Sequence, residues 1–292
     1  MKIYFPFEII KTCKMKRIVL FTLILISGFS YRVLAQCNLL ITPIRVVFDG
    51  AKQNQELNLV NTGKDTATFS ISFLQYNMKE DGSFVKSEKP EELQKSAEPY
   101  LRIFPRQVTL APGEPQVIML QCRRKADMSE GEYHSHIYFR AEKHDDKSGS
   151  KKPINNNDTT SQVSIQLTPL YGLSIPVIIR SNTVNVNASL SDLKLEKLEQ
   201  SSEYLKLTIN RSGNISTYGD IIVDYLPVQG KQVQVGVIRG VGVYTDINKR
   251  NIIIKLNNPA STSLGKGKLK VRYITNEENK KPVVYAVGEL DV

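Results

Sequence analysis

Residues Asp127–Phe139, "DMSEGEYHSHIYF", join a polar turn to a strand, and the reading of that strand decides the fold. Asp127, Ser129, Glu130 and Gly131 carry turn chemistry. From there on Tyr133, Ser135, Ile137 and Phe139 alternate with His134, His136 and Tyr138. Residues two apart on a strand share a face, so one set meets a core and the other meets whatever lies outside it. The expectation from this stretch is that Tyr133, Ser135, Ile137 and Phe139 point inward while both histidines face solvent.

The same period of two recurs along the chain, at Leu57/Leu59, Ala67/Phe69/Ile71/Phe73, Val163/Ile165/Leu167, Val184/Val186, Leu205/Leu207/Ile209, Val233/Val235/Val237 and Leu269/Val271/Tyr273. Turn clusters separate these runs: "NTGKD" (61–65), "KEDGS" (79–83), "APGEP" (111–115), "RSGN" (211–214) and "NNPAS" (257–261). The segment "SDLKLEKLEQ" (191–200) could pass for a helix, but it continues the alternation from Val184 and is read as strand and turn. Many short alternating strands with frequent turns predict an all-β chain of immunoglobulin-like β-sandwiches. Gly131 stands two residues before Tyr133 at the entry to its strand. That placement resembles the tyrosine corner of such sandwiches, in which the hydroxyl bonds back to nearby backbone. An ordinary turn followed by an exposed tyrosine is the other reading. Ser135 occupies the place of the antibody cysteine and the chain has no tryptophan, so the antibody core pin is missing.

With 292 residues, the chain suits two domains better than one. The stretch "MKRIVLFTLILISGFSYRVLAQ" (15–36) places Lys16 and Arg17 before an apolar run from Ile18 to Ile26. Val33 and Ala35 then fall at the small-residue spacing of a signal-peptidase site. Residues 1–35 are therefore expected to be a cleaved secretory signal, with Met15 as an alternative start. The domains are expected at 38–180 and 182–292, meeting at "IIRSNTVNV" (178–186). The polar stretch "EKHDDKSGSKKPINNNDTTSQ" (142–162) is expected to be a long loop inside the first domain rather than a linker.

The formal net charge is +10. The signal carries six of the lysines and arginines against Glu8 alone, so the mature chain keeps a net charge of +5. With no basic block interleaved with aromatics, nucleic acid is excluded as the expected partner. Cys37 and Cys122 survive cleavage into a compartment that permits a disulfide. Either the two pair, or Cys37 in "LAQC" is a lipidation site. No nucleophile elbow, phosphate-binding glycine loop or zinc-binding helix motif is present, so no enzyme and no cofactor or metal is expected.

The order of segments carries more than any one of them. "TPIRVVFDG" (42–50) is followed by "LNLVNTGKDTATFSI" (57–71), "YLRIFPRQVTLAPGEPQVIML" (100–120), "EGEYHSHIYFRA" (130–141) and, after the polar loop, "VSIQLTPLYGLSIPVIIR" (163–180). This ordered set behind a signal peptide resembles the periplasmic pilus-assembly chaperones, the PapD-like family, over about residues 38–180. The resemblance implies a boomerang of two immunoglobulin-like domains in the periplasm, with the cell surface a weaker expectation. It implies a pilin-like or other secreted subunit as partner, with an outer-membrane usher downstream. Such a subunit is bound by strand addition, in which backbone hydrogen bonds give affinity and apolar side chains fill pockets. Val163, Ile165 and Leu167 would be the apolar knobs of the donated strand, unless they face their own core.

In the same resemblance Arg45 takes the place of the family's cleft arginine, which holds the subunit's terminal carboxylate together with a lysine. That lysine is missing. One alignment puts Gly172 at its position and another puts Ser174 there. Pro43 suits a sheet switch, and Ile44, Val46 and Phe48 are expected to face the core together, with Arg45 opposite. A solvent-facing Arg45, or one paired with an internal carboxylate, is the plainer alternative. The rival function is an exported immunoglobulin-like structural or adhesive module of the envelope.

Overall fold

The computed structural model describes residues 39–87, 95–126, 128–142, 171–198, 202–257, 264–276 and 281–292. Apart from one 3-10 turn at Glu98–Tyr100, the regular elements among them are all strands. The first sandwich contains β1 (Leu39–Thr42), β2 (Val46–Phe48), β3 (Asn54–Asn61), β4 (Ala67–Met78), β5 (Phe84–Ser87), β6 (Leu101–Phe104), β7 (Gln107–Leu110), β8 (Pro115–Cys122), β9 (Gly131–Ala141) and β10 (Gly172–Ser181). One sheet runs β1-β3-β8-β6 and the other β2-β10-β9-β4-β5, with β7 also pairing β4. Their alternating residues interlock in a core that includes Phe48, Leu57, Leu59, Ile118, Leu120, Ile137 and Phe139.

The second sandwich is built from β11 (Val186–Leu198), β12 (Ser202–Gly213), β13 (Thr217–Pro227), β14 (Val233–Val243), β15 (Lys249–Leu256), β16 (Gly267–Thr275) and β17 (Val284–Asp291). Its sheets run β11-β12-β15 and β14-β13-β16-β17. Leu205, Leu207, Ile221, Val223, Leu269, Val271 and Tyr273 form its core. The segment that imitates a helix, Ser191–Leu198, is strand: it pairs with β12 across a register shift between Ser191 and Lys194.

Two β-sandwiches in tandem are thus the fold, and the pattern of two dictates them. Strand β10 ends the first sandwich at Ser181 and β11 opens the second at Val186. Both sandwiches belong to one compact unit, Asn38–Val292. A small cluster joins them, with Met78, Ile178 and Tyr244 buried together and Val47 and Ile247 packed against them. The Asn251 N–H donates to the Glu80 carbonyl at 2.7 Å, and the Glu132 N–H donates to the Asn214 carbonyl at 3.0 Å.

This cover changes the face of β9. Residues Gly131–Ile137 are all buried, so His134 and His136 are not on a solvent face as their alternation suggested. The strand lies between β10 and β4 with a core on one side and the second sandwich on the other. A pattern of two reports the core side of a strand, and nothing in it marks a second partner that arrives from far along the chain.

Candidate functional site

Arg45 sits where the chain changes sheets. Strand β1 pairs antiparallel with β3 in one sheet, and β2 pairs parallel with β10 in the other. Pro43, which has no N–H to give to a ladder, occupies the break between them. Val46 and Phe48 then enter the core at 2% and 0% exposure. Ile44, expected beside them, is 68% exposed, because the bends at Pro43–Arg45 put it out of phase with the strand that follows.

The Arg45 side chain leans away from its own core and onto the second sandwich. Its guanidinium carbon lies 4.3 Å from the centre of the Tyr218 ring and 5.7 Å from that of Tyr244. Nη2 donates to the Ser216 hydroxyl at 3.4 Å, while Nη1 is buried without a hydrogen-bond partner. Among the described residues no carboxylate lies within ion-pair distance of Arg45. Arg45 is thus half-buried and not directly paired. An internal carboxylate reaches it only in relay, because the Ser216 hydroxyl and N–H donate to Oε2 of buried Glu132 at 2.8 and 3.0 Å. Arg180 holds that same oxygen at 3.6 Å.

Arg45 lines a cavity of about 380 Å³ whose walls come from both sandwiches. Tyr76, Phe84 and Tyr244 give it aromatic surface, Ser174 and Pro176 belong to β10, and Arg250 closes the far side from β15. A second cavity of about 710 Å³ shares Ile44, Arg45 and Tyr218 with the first. His136 also lines the first cavity and packs edge-on against Tyr76 and Phe84 at 5.0 and 5.3 Å. His134 stacks on Tyr244 at 5.1 Å. Burial, followed by the neighbouring His134 and Arg45, pushes His136 down to about 4. Burial also lowers His134 against the pull of Glu132 and Asp246. Both rings are neutral at neutral pH, which leaves Arg45 and Arg250 as the cations that line the first cavity.

Of the two positions considered for a lysine, Ser174 is exposed and lines the cavity with Arg45, whereas Gly172 does not line it. A Cβ on Gly172 would lie 2.2 Å from the Tyr138 hydroxyl, so the tyrosine ring occupies the space a side chain would need. Val163, Ile165 and Leu167 lie outside the described residues, as do the proposed signal peptide and Cys37.

Tyr133 is buried, and its hydroxyl donates to the Ser129 carbonyl at 3.3 Å and shares a hydrogen bond with the Ser129 hydroxyl at 2.8 Å. Cys122 is buried and its N–H donates to the Gln53 carbonyl at 2.7 Å.

Sequence reasoning missed Ser216, Tyr218, Tyr244 and Arg250. All four come from the second sandwich, where each reads as an ordinary turn or strand residue. Only the packing of one sandwich on the other brings them to Arg45.

No family model matches the chain, and no curated protein matches it. Among solved structures it is similar to the YadV chaperone, at 10% identity and a TM-score of 0.44 over 87% of this chain and 100% of that one. It is also similar to the CsuC–CsuE chaperone–tip adhesion subunit complex of Acinetobacter baumannii, at 12% identity and a TM-score of 0.41 over 85% and 98%. A third is the Salmonella enterica SafA pilin in complex with the SafB chaperone, at 13% identity and a TM-score of 0.39 over 85% and 95%.

Proposed function

We propose that this chain is a periplasmic chaperone-like protein that captures a pilin-like or other surface-assembled subunit by strand addition. Arg45 receives the subunit's terminal carboxylate, and an apolar strand containing Val163, Ile165 and Leu167 completes the subunit's open sheet until export and assembly. An unpaired sheet edge templates aggregation, so a bound strand protects the subunit while it waits. No nucleotide or cofactor enters this reading. Backbone pairing, apolar burial and the Arg45–carboxylate pair drive capture, with each buried knob contributing roughly 1.5–3 kcal/mol.

The observation that carries it is the state of Arg45: a guanidinium held over Tyr218 in a cleft, with one N–H buried and unpartnered and no direct carboxylate partner among the described residues. A planar fork kept in this way suits a carboxylate brought by a partner. The order of segments from Thr42 to Arg180 supplies the class of client. Co-purification of candidate subunits from periplasmic extracts tests the reading. Arg45→Ala and Ile165→Asp should each cut the captured subunit by about tenfold or more. Unchanged capture by both variants overturns the proposal and favours the exported structural or adhesive module, which fractionation would then place outside the periplasm.

A further inference from the structure

Within the first cavity neither Gly172 nor Ser174 gives Arg45 a second cation. We infer that Arg250, contributed by the second sandwich, is the second cation of that site, so that the client's terminal carboxylate is gripped between the two sandwiches. This rests on the reading of Arg45 as a carboxylate anchor. Arg45 and Arg250 line the same cavity of about 380 Å³. Each has a buried N–H without a partner, Nη1 on Arg45 and Nε on Arg250, and neither is ion-paired among the described residues.

Arg250 is held in place rather than free to swing out. Nη1 donates to the Gly242 carbonyl, and the guanidinium lies against Gly82, where a Cβ would come within 2.3 Å of Nη2. Asp81, in the same turn, is the acid that faces Arg250, but its Oδ1 accepts the Ser83 N–H and hydroxyl at 2.8 and 2.6 Å. On the other wall Glu132 reaches Arg45 only through Ser216. Two guanidiniums lining one small cavity can both face an anion that enters it. The cavity is at the small end of ligand sites, and Tyr76, Phe84, Met78 and Tyr244 give it apolar surface. It suits one planar carboxylate with a short carbon tail, not a phosphate-rich ligand.

The probe is a fluorescent twelve-residue peptide of alternating valine and threonine, made with a free C-terminal carboxylate or a C-terminal amide, and binding is read by anisotropy. The full protein should prefer the carboxylate form by about tenfold or more, the scale of a charge-assisted pair. Arg45→Ala and Arg250→Ala should each bring that preference close to one, and Arg250→Lys should retain part of it. Gly82→Ala, which displaces Arg250 without removing it, should reproduce some of the loss and serves if Arg250→Ala fails to fold. A preference lost in Arg45→Ala but kept in Arg250→Ala overturns this inference and leaves the anchoring role of Arg45 standing. Equal binding of both peptides by the unaltered protein overturns the anchor at Arg45, and with it this inference. No binding of either peptide counts against strand capture altogether.

Discussion

At the scale of single residues, the cleft depends on side chains kept in uncommon states. His136 is 4% exposed and pushed down to about 4 from an ordinary value of 6.5, with burial the main cause. A histidine depressed in the folded state favours folding fully above its unfolded value and loses that contribution as pH falls toward its folded value. Stability should therefore decline between about pH 6.5 and pH 4, by on the order of 3 kcal/mol for His136 alone. Urea unfolding at pH 7 and pH 5 checks this, and His136→Phe should flatten the difference between the two. Arg45 was legible in the sequence as a charge in an apolar run. Arg250 and the burial of the histidines were not, because both arise from contacts more than a hundred residues apart along the chain.

At the scale of elements, most strands were legible, since apolar alternation and polar turns are properties of consecutive residues, although β5, β13, β15 and β17 lie outside the runs that alternation marked. Sheet order and the second contact face are not local, and there the reading failed at His134 and His136, while Ile44 was lost to the local bends at Pro43–Arg45. Strand β9 shows how tightly its start is fixed. Gly131 has φ +107°, and a Cβ there would lie 2.9 Å from the Asn214 carbonyl oxygen of the second sandwich. Left-handed backbone and close approach to a main-chain atom both demand glycine. Gly131→Ala should destabilise the protein by about 1–3 kcal/mol, read as a lower urea midpoint. The loss should exceed that of Gly113→Ala, where a Cβ meets nothing within 4 Å.

For the whole molecule, the junction rests on Glu132 as much as on apolar contact. Its carboxylate is buried, accepts the Ser216 N–H and hydroxyl of the second sandwich, and holds Arg180 of the first. Removing one partner from a buried charged network leaves the others without compensation, typically at a cost of about 3–5 kcal/mol. Glu132→Ala should lower the thermal midpoint, and amide exchange should quicken in β9 and β13 together, the two strands that flank the contact. Exchange that quickens in β9 alone would show that Glu132 acts within the first sandwich only. The placement of Glu132 could not be foreseen, because in the sequence it is one more polar residue after a turn.

The face of β9 that the second sandwich covers also bears on how such a chain can be cut and recombined. A gene fragment ending after Ser181 would encode every strand of the first sandwich. It would also leave His134, His136 and Ile178, which are all buried in the intact chain, facing water. A boundary in architecture is here not a boundary of self-sufficiency. Shuffling the first sandwich onto another neighbour would have to supply a new surface for those residues.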